Sequence, residues 1–133
     1  MKRDGIRVLG IEDYDDLLAL WRRAGIHSLK PRGRDSIEAV ISQLSSGVQT
    51  IVGLEKGGCL LGAVIATHDS RKGWINRLVV DPQHRRRGYA ERLITVAEDV
   101  LSEQGIRVIA ALVESDNAAS LALFQKMGYV DAG

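Results

Sequence analysis

Cysteine is nearly absent from this chain. Cys59 is the single copy in 133 residues, so no internal disulfide can form, and a reducing cytoplasm is the expected setting. Neither sign of charge dominates: 18 Lys and Arg stand against 17 Asp and Glu, a net charge of +1. That balance excludes a general nucleic-acid or membrane-surface binder and makes any basic cluster a local feature. No apolar run approaches the roughly 18 residues that a membrane span requires. The start, Met1-Lys2-Arg3-Asp4, lacks the apolar core of a signal peptide. Aromatic residues make up only 5% of the chain, too few to interleave with the basic residues as a base-stacking surface would need. Internal repeats and low-complexity tracts are missing too. What remains is a soluble chain read as one domain over residues 1–133, with 45% hydrophobic residues to build one core and no metal expected.

The most informative stretch is Val79-Val80-Asp81-Pro82-Gln83-His84-Arg85-Arg86-Arg87-Gly88-Tyr89-Ala90. Residues 74–80 read as a strand, which Asp81-Pro82 ends because proline has no N–H to continue a ladder. From Gly88 onward Ala90, Leu93, Ile94, Ala97, Val100 and Leu101 recur at the spacing of a helix with one buried face. The first N–H groups of that helix have no intrahelical acceptor, and they point into a corner bounded by three arginines and a glycine. An anion such as a phosphate fits there, favoured by the helix dipole and by the missing β-carbon at Gly88.

In chain order, residues 6–9 predict a short strand. A first helix carries Tyr14, Leu17, Leu18, Trp21 and Ala24 and stops at Gly25. A polar, basic loop over residues 27–34 leads to an Asp35-Ser36 cap and a second helix with Ile37, Val40, Ile41 and Leu44, ended by Gly47. Residues 48–54 and 59–67 predict a hairpin across Lys56-Gly57-Gly58. The apolar run 107–113 predicts a strand covered on both faces, joined to 74–80 by a right-handed crossover and parallel to it. Asp116-Asn117 caps a last helix with Leu121, Ala122 and Phe124 toward the core, and Gly128 ends it. Cys59, Trp21, Trp74, Phe124 and Met127 read as packing residues.

Arg85-x-x-Gly88-x-Ala90, preceded by Val-x-Pro and opening an amphipathic helix, resembles the acyl-CoA signature of the GNAT superfamily of N-acetyltransferases. The segment from Glu114 to Tyr129 resembles the second motif of that family, in which an Asn starts a helix and a Gly-aromatic pair ends it. The resemblance is densest over residues 74–129. It implies an α/β (α+β) fold with a mixed, mostly antiparallel sheet, a central parallel strand pair, and helices on both faces. It also implies acetyl-CoA as co-substrate and direct transfer of the acetyl group to a primary amine of a small molecule or a peptide N-terminus.

The resemblance further implies a site. The pantetheine arm would lie along Leu78, Val79 and Val80, with the Leu78 backbone N–H as oxyanion donor. Backbone N–H groups of Arg86, Arg87, Gly88, Tyr89 and Ala90, with the Arg85 side chain beside them, would hold the pyrophosphate. Asn117 would face the pantetheine. Many relatives carry a tyrosine where this chain has Phe124, and some carry a glutamate where it has Leu112 or Trp74. The base therefore reads as water relayed to Glu114, Asn76 or His84. These departures keep open a non-catalytic acyl-CoA-binding or regulatory module as the alternative. Relatives usually continue past the Gly-aromatic pair with a further hairpin. Here that hairpin reads as short or missing, so either a tail follows the given sequence or a second copy completes the sheet edge as a homodimer.

Overall fold

A computed structural model describes residues 4–26 and 28–131. Among these, five strands form one sheet in the order β1-β2-β3-β4-β5: β1 Gly5–Val8, β2 Gln49–Lys56, β3 Cys59–His68, β4 Lys72–Val80 and β5 Val108–Ala111. The first four pair antiparallel, and β4 pairs with β5 in parallel. The sheet is thus mixed and mostly antiparallel, with its parallel pair at the β5 end rather than in the middle. Lys56 faces Cys59 across the hairpin. Gly57 and Gly58 take φ of 60° and 81°, the paired positive angles of a tight two-residue turn that suits the twist of the strands.

Helices cover both faces. On one, α1 (Tyr14–Arg23) and α2 (Ile37–Ser45) pack Leu17, Leu20, Trp21 and Val40 against Ile51, Ala63, Ile65 and Val79. On the other, α3 (Tyr89–Glu103) and α4 (Ala118–Lys126) pack Leu93, Ile94, Ala97, Leu101 and Phe124 against Val52, Leu54, Val64, Ile75 and Val80. Neighbouring residues of one strand, such as Ile51 and Val52, enter opposite cores, as the two-residue period of a strand requires. Each large aliphatic side chain so buried contributes about 1.5–3 kcal/mol. Ser36 caps α2 by accepting the Ala39 N–H, and α2 is approached through the loop that follows Gly25, whose φ is 70°.

Three expectations are corrected. The run 107–113 is a strand only over Val108–Ala111, and it is not covered on both faces: Val108 is 57% and Leu112 59% exposed. Among the described residues β5 is the last strand of the sheet, with β4 its one neighbour, so half its surroundings are open. On α4, Leu121 and Ala122 are exposed and only Phe124 is buried, because the helix meets the sheet through a narrow stripe. Cys59 is exposed, since it opens β3 directly after the hairpin turn.

Candidate active site

The site begins with an irregularity in β4. Asn76 faces Ile65 and Val79 faces Ala63, so Arg77 and Leu78 together stand opposite Val64, a bulge of one extra residue. Arg77 takes the left-handed conformation, φ 49°, which costs a residue with a β-carbon about 1–2 kcal/mol. The bulge also resets the pleat. Before it Ile75 faces the α3 side, and after it Leu78 and Val80 take that side while Val79 turns to α1.

The same place is where β4 and β5 part. Their pairing runs from Lys72 opposite Val108 to Ile75 opposite Ala111, and closes with the Leu112 N–H donating to the Ile75 carbonyl at 2.9 Å. Beyond Ile75, the edge of β4 that faces β5 has no strand beside it among the described residues. A cleft of about 850 Å³ opens in this gap. Ile75, Asn76, Arg77 and Leu78 form one wall, Ala111 to Glu114 with Asn117 and Phe124 the other, and the loop after α1 the far end.

At its other end lies the turn that leads into α3. Asp81 accepts the Gln83 N–H at 2.9 Å and starts a short 3-10 turn over Pro82–His84. That hydrogen bond first, and the Arg23 guanidinium at 2.9 Å second among the favourable contacts, hold the Asp81 carboxyl below the usual carboxylate range. Arg86 and Gly88 have φ of 65° and 78°, and no side chain caps the N-terminus of α3. Arg85, Arg86 and Arg87 are exposed. A β-carbon built at Gly88 would meet nothing within 4 Å, so the space beside this residue at the start of α3 is open. A pyrophosphate fits this corner by charge and by room, and an extended arm fits the gap between the strands.

Of the residues expected at the site, Asn76, Leu78, Arg85, Glu114, Asn117 and Phe124 all line the cleft. Val79, Val80 and Tyr89 are buried with their side chains in the two cores, so only their backbone can meet a ligand. Arg86, Arg87 and Gly88 belong to the turn beyond Arg85 and Ala90 to the first turn of α3, and none of them lines the cleft itself. His84 does not line it either. Its Nδ1 lies 3.5 Å from Asp81 Oδ1, within the turn over Pro82–His84. Asn117 Oδ1 accepts the Ser120 N–H at 3.1 Å, capping α4 and leaving its amide nitrogen for other partners. Phe124 packs edge-on to Tyr129 with ring centroids 5.0 Å apart. The Tyr129 hydroxyl donates to Glu98 at 2.7 Å, and burial followed by that bond pushes its pKa up. Among the described residues no group of three or more His, Cys, Asp or Glu could hold a metal ion.

From the polar, basic loop over residues 27–34 and the cap after it, Ser28, Arg34 and Asp35 line the cleft; His27 lies outside the described residues. Sequence reasoning missed Arg77, Asp35, Gln43 and Gln49. The pair Asn76-Arg77 could have marked the bulge, since two successive polar residues interrupt an otherwise apolar strand. The amides were not foreseeable: Gln49 Nε2 donates to Gln43 Oε1, and Gln43 Nε2 to the Arg34 carbonyl, both at 2.9 Å, a chain made by packing β2 against α2.

Comparison with known proteins agrees with this geometry. The family model described as the acetyltransferase (GNAT) family matches residues 14–129. An acetyltransferase of Yersinia pestis (strain Pestoides F) is 26% identical over 124 residues, covering 93% of this chain and 86% of its own. Two solved structures share the fold. The PaiA N-acetyltransferase of Thermoplasma acidophilum, in complex with coenzyme A, superposes with a TM-score of 0.82 at 22% identity, over 98% of this chain and 92% of that one. AAC(6')-Iy, in complex with a bisubstrate analogue of CoA and acetylneamine, gives a TM-score of 0.81 at 18% identity, over 99% and 94%. With the family model spanning most of its length, the chain belongs to the acetyltransferase (GNAT) family.

Proposed function

We propose that the chain transfers an acetyl group from acetyl-CoA to a primary amine by direct attack in a ternary complex. The observation that carries this reading is the cleft between β4 and β5, which runs unbroken from Arg85 beside the basic turn to the loop at Ser28 and Asp35. A donor entering from the turn and an acceptor entering from the loop meet at Leu78.

Backbone N–H groups from Arg86 to Ala90 and the Arg85 guanidinium hold the pyrophosphate, and the free edges of Leu78, Val79 and Val80 hold the pantetheine, with Asn117 on the opposite wall. The thioester supplies an activated acyl group. The Leu78 N–H polarises its carbonyl and stabilises the oxyanion, an effect of about 3 kcal/mol for a well-placed donor. Holding the amine beside it contributes much of the remaining acceleration. An amine with a pKa near that of lysine, about 10, must lose a proton before attack. Glu114, on the wall opposite the bulge, takes it through water that Asn76 orients. A thiol with a pKa of about 8.5 leaves as the thiolate without a dedicated acid. That suits a cleft in which Phe124 is apolar and the Tyr129 hydroxyl is engaged by Glu98.

The acceptor carries a carboxylate or phosphate. Arg34 lines the cleft mouth, and with Arg22, Lys30 and Arg32 it also surrounds a second hollow of about 630 Å³ on the same loop. Release of free thiol from acetyl-CoA is measured over amino acids, alanine-terminated peptides, polyamines and aminoglycosides, each acid paired with its amide. Turnover is expected to favour the acid, and Arg34→Gln to raise KM for that acid several-fold while leaving its amide unchanged. Equal use of acid and amide would refute the acceptor class. Acetyl-CoA binding without turnover on any amine would favour the non-catalytic module, for which Phe124 is the supporting observation.

A further inference from the structure

Among the described non-glycine residues with positive φ, namely Ser70, Arg77 and Arg86, only Arg77 lies in a strand. Glycine takes that conformation freely and arginine does not, so contacts of the side chain must hold it there. Those contacts are specific. Arg77 Nη1 donates to Asp35 Oδ1 at 2.5 Å and Nη2 to Ser28 Oγ at 3.3 Å, and the guanidinium lies 4.8 Å from the Trp21 ring centroid. The ion pair is buried, with side-chain exposures of 11% and 8%.

Asp35 is itself fixed from two sides. Its other oxygen accepts the Lys30 N–H at 2.7 Å, and its carbonyl accepts the Tyr14 hydroxyl at 2.6 Å. One guanidinium thus links the bulge of β4, the end of α1 and the loop before α2, three parts that converge on the cleft. A buried ion pair of this kind adds little net stability, because desolvation offsets the attraction; its physical contribution is to select one arrangement. If the bulge relaxed to a regular strand, the pleat after Asn76 would flip and Leu78 would exchange faces with Val79.

We infer that Arg77 is a positioning residue for transfer. Paired with Asp35, it fixes the bulge so that the Leu78 N–H meets the thioester carbonyl, and it ties that register to the loop that receives the acceptor. This rests on the transferase reading above, and it concerns the acetyl end of the donor rather than its phosphates. Acetyl-CoA and CoA share every phosphate and pantetheine contact and differ at the thioester. The ratio of their Kd values therefore reports on the acetyl end alone, where the Leu78 N–H would donate.

The experiment is titration of acetyl-CoA and of CoA into the wild type, Arg77→Gly, Arg77→Lys and Asp35→Asn. The wild type is expected to bind acetyl-CoA about fivefold tighter than CoA, the ratio that one net hydrogen bond gives. Arg77→Gly suits the backbone but removes the clamp. It should bring the ratio to about one while the Kd of CoA changes less than about twofold. Arg77→Lys keeps the charge but not the planar fork or the stacking on Trp21, and should fall between. Asp35→Asn retains an acceptor for the Lys30 N–H, and carries the test if Arg77→Gly does not fold. Ratios unchanged in Arg77→Gly and Asp35→Asn would overturn the inference and leave the transferase reading standing. Equal weakening of both ligands would overturn it too, by showing a general structural effect. A wild type that binds neither ligand would overturn the transferase reading together with the inference.

Discussion

Gly88 stands at φ 78° with open space where a side chain would begin, and any β-carbon there meets a backbone penalty before it meets an atom. Valine would also project into the corner in front of the α3 N-terminus. Gly88→Val is therefore expected to weaken acetyl-CoA at least about tenfold by calorimetry and to lower Tm by several degrees. Unchanged affinity would remove the turn from the account. Asp81, on the other side of the same turn, makes a prediction about pH. Its folded pKa is depressed by the Gln83 N–H and by Arg23, so its stabilisation is complete above the unfolded value of about 3.9 and is lost as pH falls through the folded one. Urea unfolding should show Asp81→Asn less stable than the wild type at pH 6, with the gap narrowing steadily as the pH drops below about 4. A gap independent of pH would contradict this.

Among the elements, α4 sets a structural role beside the proposed ligand-binding one at a single residue, Asn117. Asn117 Oδ1 makes the cap, and the rest of the amide is left facing the cleft. Asn117→Asp keeps an equally good cap and adds a charge that the helix dipole favours, so Tm should hold or rise slightly. Acetyl-CoA affinity should fall several-fold, since the donor is gone and the new charge faces an anionic ligand. Unchanged affinity with unchanged Tm would mean that the side chain only caps. This element was legible in the sequence from Asn117 and Gly128, and so were both helices before the sheet, because caps and 3.6-residue periodicity are local signals. The bulge had only the polar pair Asn76-Arg77 as a local sign, since its register depends on how β4 meets β3. The open state of β5 was not legible, because an apolar run such as Val108 to Val113 looks the same whether a neighbour covers it or not. The Arg77–Asp35 pair spans elements distant in sequence, and no local pattern announces it.

At the scale of the whole molecule, two cores hold a sheet whose parallel pair has come apart on one side, and that gap runs from Arg85 beside the basic turn to the loop at Ser28 and Asp35. No described helix is long and apolar enough to cross a membrane. The recognisable part of the sequence was the donor side, where a turn, a glycine and three arginines are consecutive. The other end of the cleft is assembled from α1, α2, β2 and β4, so its chemistry emerges only on folding. The central claim is that the acetyl group crosses this cleft in one step. The mass spectrum of a complete reaction, holding the protein, acetyl-CoA and the best amine of the panel, tests it. The account predicts acetylated amine and free CoA with the protein mass unchanged throughout. An acetylated protein that forms first and then decays as the amine is modified, or an unmodified amine, would contradict it.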